Sequence, residues 1–299
     1  MKRYNTAIFD NARWEGFAPR EDDIFVCTPP KCGTTWTQTI VVNLLFPDGN
    51  APGPVMQLSP WIEAKWTSAE QMHAMLSAQK HRRVIKTHTP ADGIPWFDDA
   101  RYLFVCRDGR DAFMSFANHV ARMKITGMVN EQALRDGIPP MPDFDGDIHK
   151  FFDDWLSGTD RFFEIVASYW EKKSRPNLLF VHFNDLKHDL GAEMRRIADF
   201  LDIEIPADTW PRVIERCTFE HMRNDEGMVG DMSQVFEGGT KGFLFKGTNG
   251  RWRDVLTPDE LLRYEQRLGS AMPLEAAVWV ANGRGAAGEG AAVKGLDAS

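Results

Sequence analysis

The sequence predicts an α/β fold: a single domain with a central parallel sheet flanked by helices and opened by a P-loop-like turn. Two observations predict it. Short apolar runs of strand length alternate with amphipathic segments of helical length, as in parallel β-α units. The first run, Ile24-Phe25-Val26-Cys27, leads through Thr28-Pro29-Pro30-Lys31-Cys32-Gly33-Thr34-Thr35 into a helix marked by Trp36, Ile40 and Leu44. Strand, Lys-x-Gly-Thr-Thr, helix is the order of an anion-binding turn. Main-chain N–H groups, the helix N-terminus and one Lys converge there on a phosphate-like group.

Strands are expected over Ile24–Cys27, Arg83–Lys86, Tyr102–Cys106 and Leu178–Phe183. Helices are expected over Thr34–Phe46, Asp111–Lys124, Arg161–Lys173, Ala192–Leu201 and Pro258–Arg267. Pro258 suits a first helical turn, with Thr257 as N-cap. Two stretches break the rhythm. Gly127 to Gly158 is rich in Pro, Gly and Asp, and Asn224 to Gly250 is Gly-rich without periodicity; loops of that length in a compact domain are functional or disordered. Neither a repeat nor an internal linker divides the chain, so one domain is expected over 1–281, followed by a flexible Gly/Ala-rich tail over 282–299.

Composition excludes several classes. A net charge of −8 argues against nucleic acid as a partner and requires any cationic groups to be gathered locally. No apolar run approaches the ~18 residues of a membrane span, and no apolar core follows the charged N-terminus as in a secretory signal. Cys27, Cys32, Cys106 and Cys217 follow no metal-ligand or disulfide spacing, which points to a reducing, cytoplasmic setting.

The first turn differs from the nucleotide triphosphate loop, Gly-x-x-x-x-Gly-Lys-Ser/Thr. Lys31 precedes Gly33 by two residues, and Thr28 stands where the first Gly belongs, so the magnesium-positioning hydroxyl has no assigned place. The stretch Asp23 to Gln38 resembles the 5′-phosphosulfate loop of the cytosolic sulfotransferases. These enzymes move a sulfuryl group from 3′-phosphoadenosine 5′-phosphosulfate (PAPS) to a hydroxyl or amine, releasing adenosine 3′,5′-bisphosphate (PAP). Three further segments follow in family order, so that the resemblance runs from about Trp14 to Tyr264.

The resemblance implies roles for individual residues. Lys31, Cys32, Gly33, Thr34, Thr35 and Trp36 would hold the donor's 5′ end, with Cys32 standing where the family commonly has Ser. Cys32 is either a small residue in a main-chain-driven turn or a reactive thiol beside a cationic helix end. Lys86-Thr87-His88 matches the segment carrying the catalytic His. His88 is therefore the expected base, Lys86 adjusts the charge balance around the sulfate, and Lys31 stabilises the departing nucleotide. A His beyond a strand's carboxyl end also sits where open α/β sheets bind ligands, and its ordinary pKa leaves it mostly neutral at neutral pH.

Arg107 and Ser115, in Tyr102 to Ser115, correspond to the family's 3′-phosphate segment; Arg110 reads instead as an ion-pair partner of Asp108 or Asp111. Phe183, Thr218 and Phe219 align with the region around the adenine, with Trp36 as a third aromatic candidate; plain core is the alternative reading for Trp36, Phe183 and Phe219. Lys246 and Gly247, in Phe245 to Trp252, match the second signature. Phe245 stands at its Arg position, and Arg251 is a candidate to compensate.

No metal is expected. Asp143 to Asp147 lacks the Gly and Glu of a calcium loop, and His182 and His188 lack a second ligand. Met123, Met128, Met141, Phe144, Phe151 and Phe152 are either a mobile apolar lid or core. The partner is a small acceptor, apolar or aromatic, whose identity the chain does not reveal. Arg253, Thr257, Pro258 and Leu262 depart from the family's dimer pattern, so the oligomeric state stays open between a monomer and a homodimer built otherwise than through that segment. The rival functions are an ATP-dependent P-loop kinase or hydrolase and a non-catalytic nucleotide-binding module.

Overall fold

Strands β1 (Ile24–Cys27), β2 (Val84–Thr87), β3 (Arg101–Cys106) and β4 (Leu178–His182) form one sheet in the order β2-β1-β3-β4, every neighbouring pair parallel. The computed structural model describes residues 1–158 and 161–284. Cys27 lies level with Thr87 on one side and Phe104 on the other. The chain therefore leaves β1 and β2 along one edge, and its return across β1 to β3 makes a switch point, where open α/β sheets bind ligands.

Alternation of side chains feeds two cores. Phe25, Cys27, Ile85, Tyr102 and Phe104 point to one face, where Tyr102 stacks on Phe25 at 4.7 Å and Phe104 on Tyr169 at 4.5 Å. Helices Gly109–Arg122, Phe162–Trp170 and Leu274–Asn282 contribute to that core. Ile24, Val26, Val84, Leu103 and Val105 point to the other, packed by helix α1 (Thr34–Leu45) and helix Leu190–Phe200. Covering both faces explains strands that are mostly apolar, with polar residues toward their ends. At the edge where β1 and β2 begin, Arg83 donates from Nε to Asp23 at 2.7 Å in a fully enclosed ion pair.

All four strands and five helices fall where the periodicity puts them, to within a few residues at their ends. The fourth strand stops at His182, and Phe183 instead opens the helix Phe183–His188. The Arg161 helix shortens to Phe162–Trp170, because Arg161 is its left-handed N-cap at φ 62°.

The two stretches read as loops are partly helical. Thr126–Arg135 and Ile148–Leu156 lie in the first, Glu226–Val229 and Gly239–Phe243 in the second. Asp147 caps Ile148–Leu156 by accepting from the N–H groups of His149 and Lys150. That helix buries Phe151, Phe152 and Trp155, so those phenylalanines are core, while Met128 is exposed. Of the stretch expected as a tail, Asn282 ends a helix, and 285–299 lie outside the described residues. No helix among the described residues is long and apolar enough to cross a membrane.

Candidate active site

Between β1 and α1 the backbone turns through two left-handed residues, Lys31 (φ 66°) and Gly33 (φ 104°). Gly33 is obligatory twice over: its φ favours glycine, and a Cβ there would sit 3.0 Å from the Phe183 ring. Such a turn directs successive N–H groups inward ahead of the α1 N-terminus. The Thr34 hydroxyl lies 2.6 Å from that of Thr28. The Cys32 side chain is fully enclosed in the core beneath the turn, which overturns the reactive-thiol reading. Its N–H makes a long bond of 3.4 Å to the Pro29 carbonyl.

One residue past β2, His88 is buried at 8% exposure. Its Nδ1 lies 2.7 Å from the Thr28 carbonyl oxygen, so Nδ1–H donates and Nε2 keeps its lone pair. The ring rests edge-on against Trp61 at 4.9 Å. Burial, then the positive field of Lys86, holds the imidazole well below its usual pKa despite the Thr28 bond. His88 is therefore a neutral acceptor at neutral pH.

Two lysines share this edge. Burial, with Lys86 and Arg107 nearby, lowers Lys31 to about 7; burial lowers Lys86 to about 8 against the opposing pull of Glu63. The Lys31 ammonium is 3.1 Å from His119 Nδ1 and 4.8 Å from the centre of the Phe243 ring. The Lys86 ammonium lies over Trp61 at 4.7 Å. Beneath them Glu63, wholly buried, accepts from Trp14 Nε1 at 2.8 Å, Trp61 Nε1 at 2.7 Å and the Thr87 hydroxyl. It thereby fixes the indole that supports both His88 and Lys86.

At the end of β3, Arg107 is 5% exposed. Its fork is filled by neutral oxygens: Asn249 Oδ1 at 2.6 and 3.1 Å and the Thr248 carbonyl at 2.8 Å. Arg107 also lies over the Phe183 ring at 4.2 Å. Arg110 pairs with Asp108 at 2.7 and 3.0 Å and covers Trp252, as its ion-pair reading expected.

A model of the sulfotransferase domain matches residues 21–273, most of the chain. The chain belongs to the sulfotransferase family. A glycolipid sulfotransferase of Mycobacterium tuberculosis is 29% identical over 310 residues, with 94% of each chain covered. Human sulfotransferase 1C2 is 26% identical over 277 residues, covering 87% of this chain and 86% of the relative. Among solved structures, retinol dehydratase in complex with androsterone and the inactive cofactor PAP has a TM-score of 0.71 at 19% identity, over 89% of this chain and 87% of that one. A mouse sulfotransferase complexed with PAP has 0.68 at 20%, over 90% and 91%. These two likenesses establish the α/β fold.

In this sulfotransferase the expected residues fall into two groups. Lys31, Gly33, Thr34, Lys86, His88 and Arg107 converge on the carboxyl edge of β1, β2 and β3. Thr35 is buried in the first turn of α1, and Ser115 lies on Gly109–Arg122, the helix that follows Arg107. The aromatic group forms a wall: Trp36 meets Phe183 edge-on at 5.1 Å and donates from Nε1 to the Cys217 carbonyl at 2.8 Å. Gly247 (φ 61°) presses on Phe219, whose ring a Cβ would approach to 2.7 Å. Thr218 spends its hydroxyl locally, capping Phe219–Asn224 by accepting from His221 N–H and donating to the Glu215 carbonyl. Lys246 is exposed, over Phe245 at 5.3 Å.

Sequence reasoning missed His119, Trp61, Glu63 and Asn249. His119 was within reach, lying one helical turn after Ser115 on the same face. Asn249 belongs to the partial second signature. Trp61 and Glu63 carry no local signal, because only pairing of their segment alongside β2 brings them to the site: Lys86 N–H donates to the Pro60 carbonyl and Ile62 N–H to the Lys86 carbonyl. Thr257 caps the Pro258 helix as expected, in a capping box with Glu260.

Proposed function

We propose that this sulfotransferase moves the sulfuryl group of PAPS to the hydroxyl, or amine, of a small apolar or aromatic acceptor. The observation that carries the reading is the pairing of opposite roles at the ends of adjacent strands. His88, locked through Nδ1 to Thr28, offers a lone pair at Nε2, and Lys31 stands at the turn after β1. His88 takes the acceptor proton as the new oxygen–sulfur bond forms. Lys31 supports the bridging oxygen as its bond to sulfur breaks and charge passes to the nucleotide. Lys86 offsets the sulfate's remaining charge. Thr34, Thr35 and the turn's N–H groups hold the 5′ end, while Arg107, Ser115, Lys246 and Gly247 hold the 3′-phosphate. Trp36, Phe183 and Phe219 line the adenine.

Support comes from the two fold neighbours solved with PAP and from the geometry of the turn. Lys31 precedes Gly33, and Thr34 already bonds Thr28, an arrangement unlike a triphosphate loop. All four cysteines are buried outside disulfides, which fits a cytoplasmic protein.

Calorimetric titration with PAP, and separately with ATP and Mg²⁺, tests the reading. Tight binding of PAP without metal is expected, and PAPS should then sulfate a panel of phenols, alcohols and amines. Binding of Mg-ATP alone would replace this reading with a kinase.

A further inference from the structure

Phe245 is ringed by three cations, one from the helix Gly109–Arg122 and two from its own loop. The Arg122 guanidinium lies 4.8 Å from its ring centre, that of Arg251 5.3 Å, and the Lys246 ammonium 5.3 Å. Among the described residues none of the three forms an ion pair. The hydrogen bond that Arg122 makes, from Nε to Asn118 Oδ1 at 3.2 Å, goes to a neutral oxygen. An aromatic face attracts a cation but carries no net charge, so it leaves three like charges uncompensated. In a chain of net charge −8 such a gathering calls for an anion of more than one charge.

The surroundings indicate which anion. Arg122 ends the helix Gly109–Arg122, two turns after Ser115 and on the same face. Its bond to Asn118 folds the side chain back one turn toward Ser115. Arg251 begins the turn Arg251–Asp254, two residues past Asn249, whose side chain fills the fork of Arg107. Lys187 fixes the intervening backbone by donating to the Gly247 carbonyl at 3.0 Å. Helix, loop and strand end thus direct Arg122, Arg251, Lys246 and Arg107 to one region; the Asp111 carboxylate reaches it beside Arg107, accepting from the Gly250 N–H at 2.7 Å, while the fork of Arg107 and the Nε of Arg122 bond neutral oxygens.

We propose that Arg122, assisted by Arg251, is a phosphate-reading residue of the donor site, completing the subsite for the 3′-phosphate around the Phe245 ring. The proposal rests on the PAPS reading above. On it, the cation that Phe245 cannot supply comes from the far end of the Ser115 helix. The 3′-phosphate displaces the Asn249 and Thr248 oxygens from Arg107 and draws Arg122 off the ring.

The test is titration of the whole protein with PAP and with adenosine 5′-monophosphate, for wild type, Arg122→Met and Arg122→Lys. Wild type should prefer PAP. Arg122→Met should weaken PAP about tenfold or more and leave the monophosphate within about twofold, as expected for losing one charge-assisted phosphate contact. Arg122→Lys should recover part of the loss. Equal preference for PAP in wild type and Arg122→Met overturns the role of Arg122 while leaving the PAPS reading intact. Loss of both ligands together also overturns it, by making Arg122 structural. A wild type without preference for PAP removes the donor reading itself. Arg251→Met added to Arg122→Met should deepen the loss for PAP alone; no further change removes the assisting role.

Discussion

The Lys31 ammonium lies 3.1 Å from Nδ1 of His119, and this contact joins the turn after β1 to the helix that carries Ser115. While Lys31 is protonated it only donates, so His119 then accepts at Nδ1 and keeps its hydrogen on Nε2, the reverse of His88. Replacing His119 with Phe should lower kcat/KM about tenfold, the scale of a lost hydrogen bond to a charged group. PAP affinity should stay within about twofold. Steady-state kinetics beside calorimetry separates the two effects; an unchanged rate means the contact is packing alone.

His88→Ala removes the one acceptor lone pair held at the end of β2. Turnover with PAPS should fall by roughly 10²-fold or more, in the range of general-base catalysis. PAP binding, measured in parallel, should persist. A near-wild-type rate would assign the base elsewhere.

The pH profile follows from the cations. Lys31 and Lys86, lowered to about 7 and about 8, lose charge as pH rises through those values in the free enzyme. Donor capture, read as kcat/KM for PAPS, should therefore decline on the alkaline side. His88, held well below the usual imidazole range, gives no loss of activity near neutrality on the acid side. Lys31→Arg keeps its charge throughout and should flatten the first part of the decline, whatever its effect on the maximum. A decline unchanged in that variant would exclude Lys31 as its source.

Arg107→Ala deletes the buried fork at the end of β3. PAP should lose about 1.5–3 kcal/mol of binding, the scale of a charge-assisted bond, with the 5′-monophosphate little affected. Equal losses for both nucleotides would mean that Arg107 does not read the 3′ end.

The enclosed Asp23–Arg83 pair lies at the amino edge of the sheet, opposite the site. Asp23→Asn leaves a buried guanidinium without its counter-charge and should cost about 3–5 kcal/mol in stability. Chemical denaturation measures the loss. Turnover per folded molecule should be unchanged, and a loss in proportion to destabilisation would contradict this separation of roles.

The strands and the strand-end residues were legible because both are local. An apolar run followed by Lys31-x-Gly33, or ending in Lys86-Thr87-His88, carries its own position in the fold. The helix Ile148–Leu156 was hidden by neighbouring Pro, Gly and Asp, although Ile148, Phe151, Phe152 and Trp155 have helical spacing. The support beneath His88 was not legible at all. Trp61 and Glu63 reach it through backbone pairing that only the folded chain defines.

The oxygen that orients His88 belongs to the main chain of Thr28. Side-chain replacement at position 28 can disturb the Thr34 contact and the longer approach of the Thr28 hydroxyl to His88 Nδ1 at 3.2 Å, but cannot delete that oxygen. The orientation of the His88 ring is thus inherited with the shape of the turn, and genetic drift can remove it only by reshaping the backbone. Saturation mutagenesis should accordingly find position 28 forgiving toward residues of similar size and position 33 intolerant of anything but glycine.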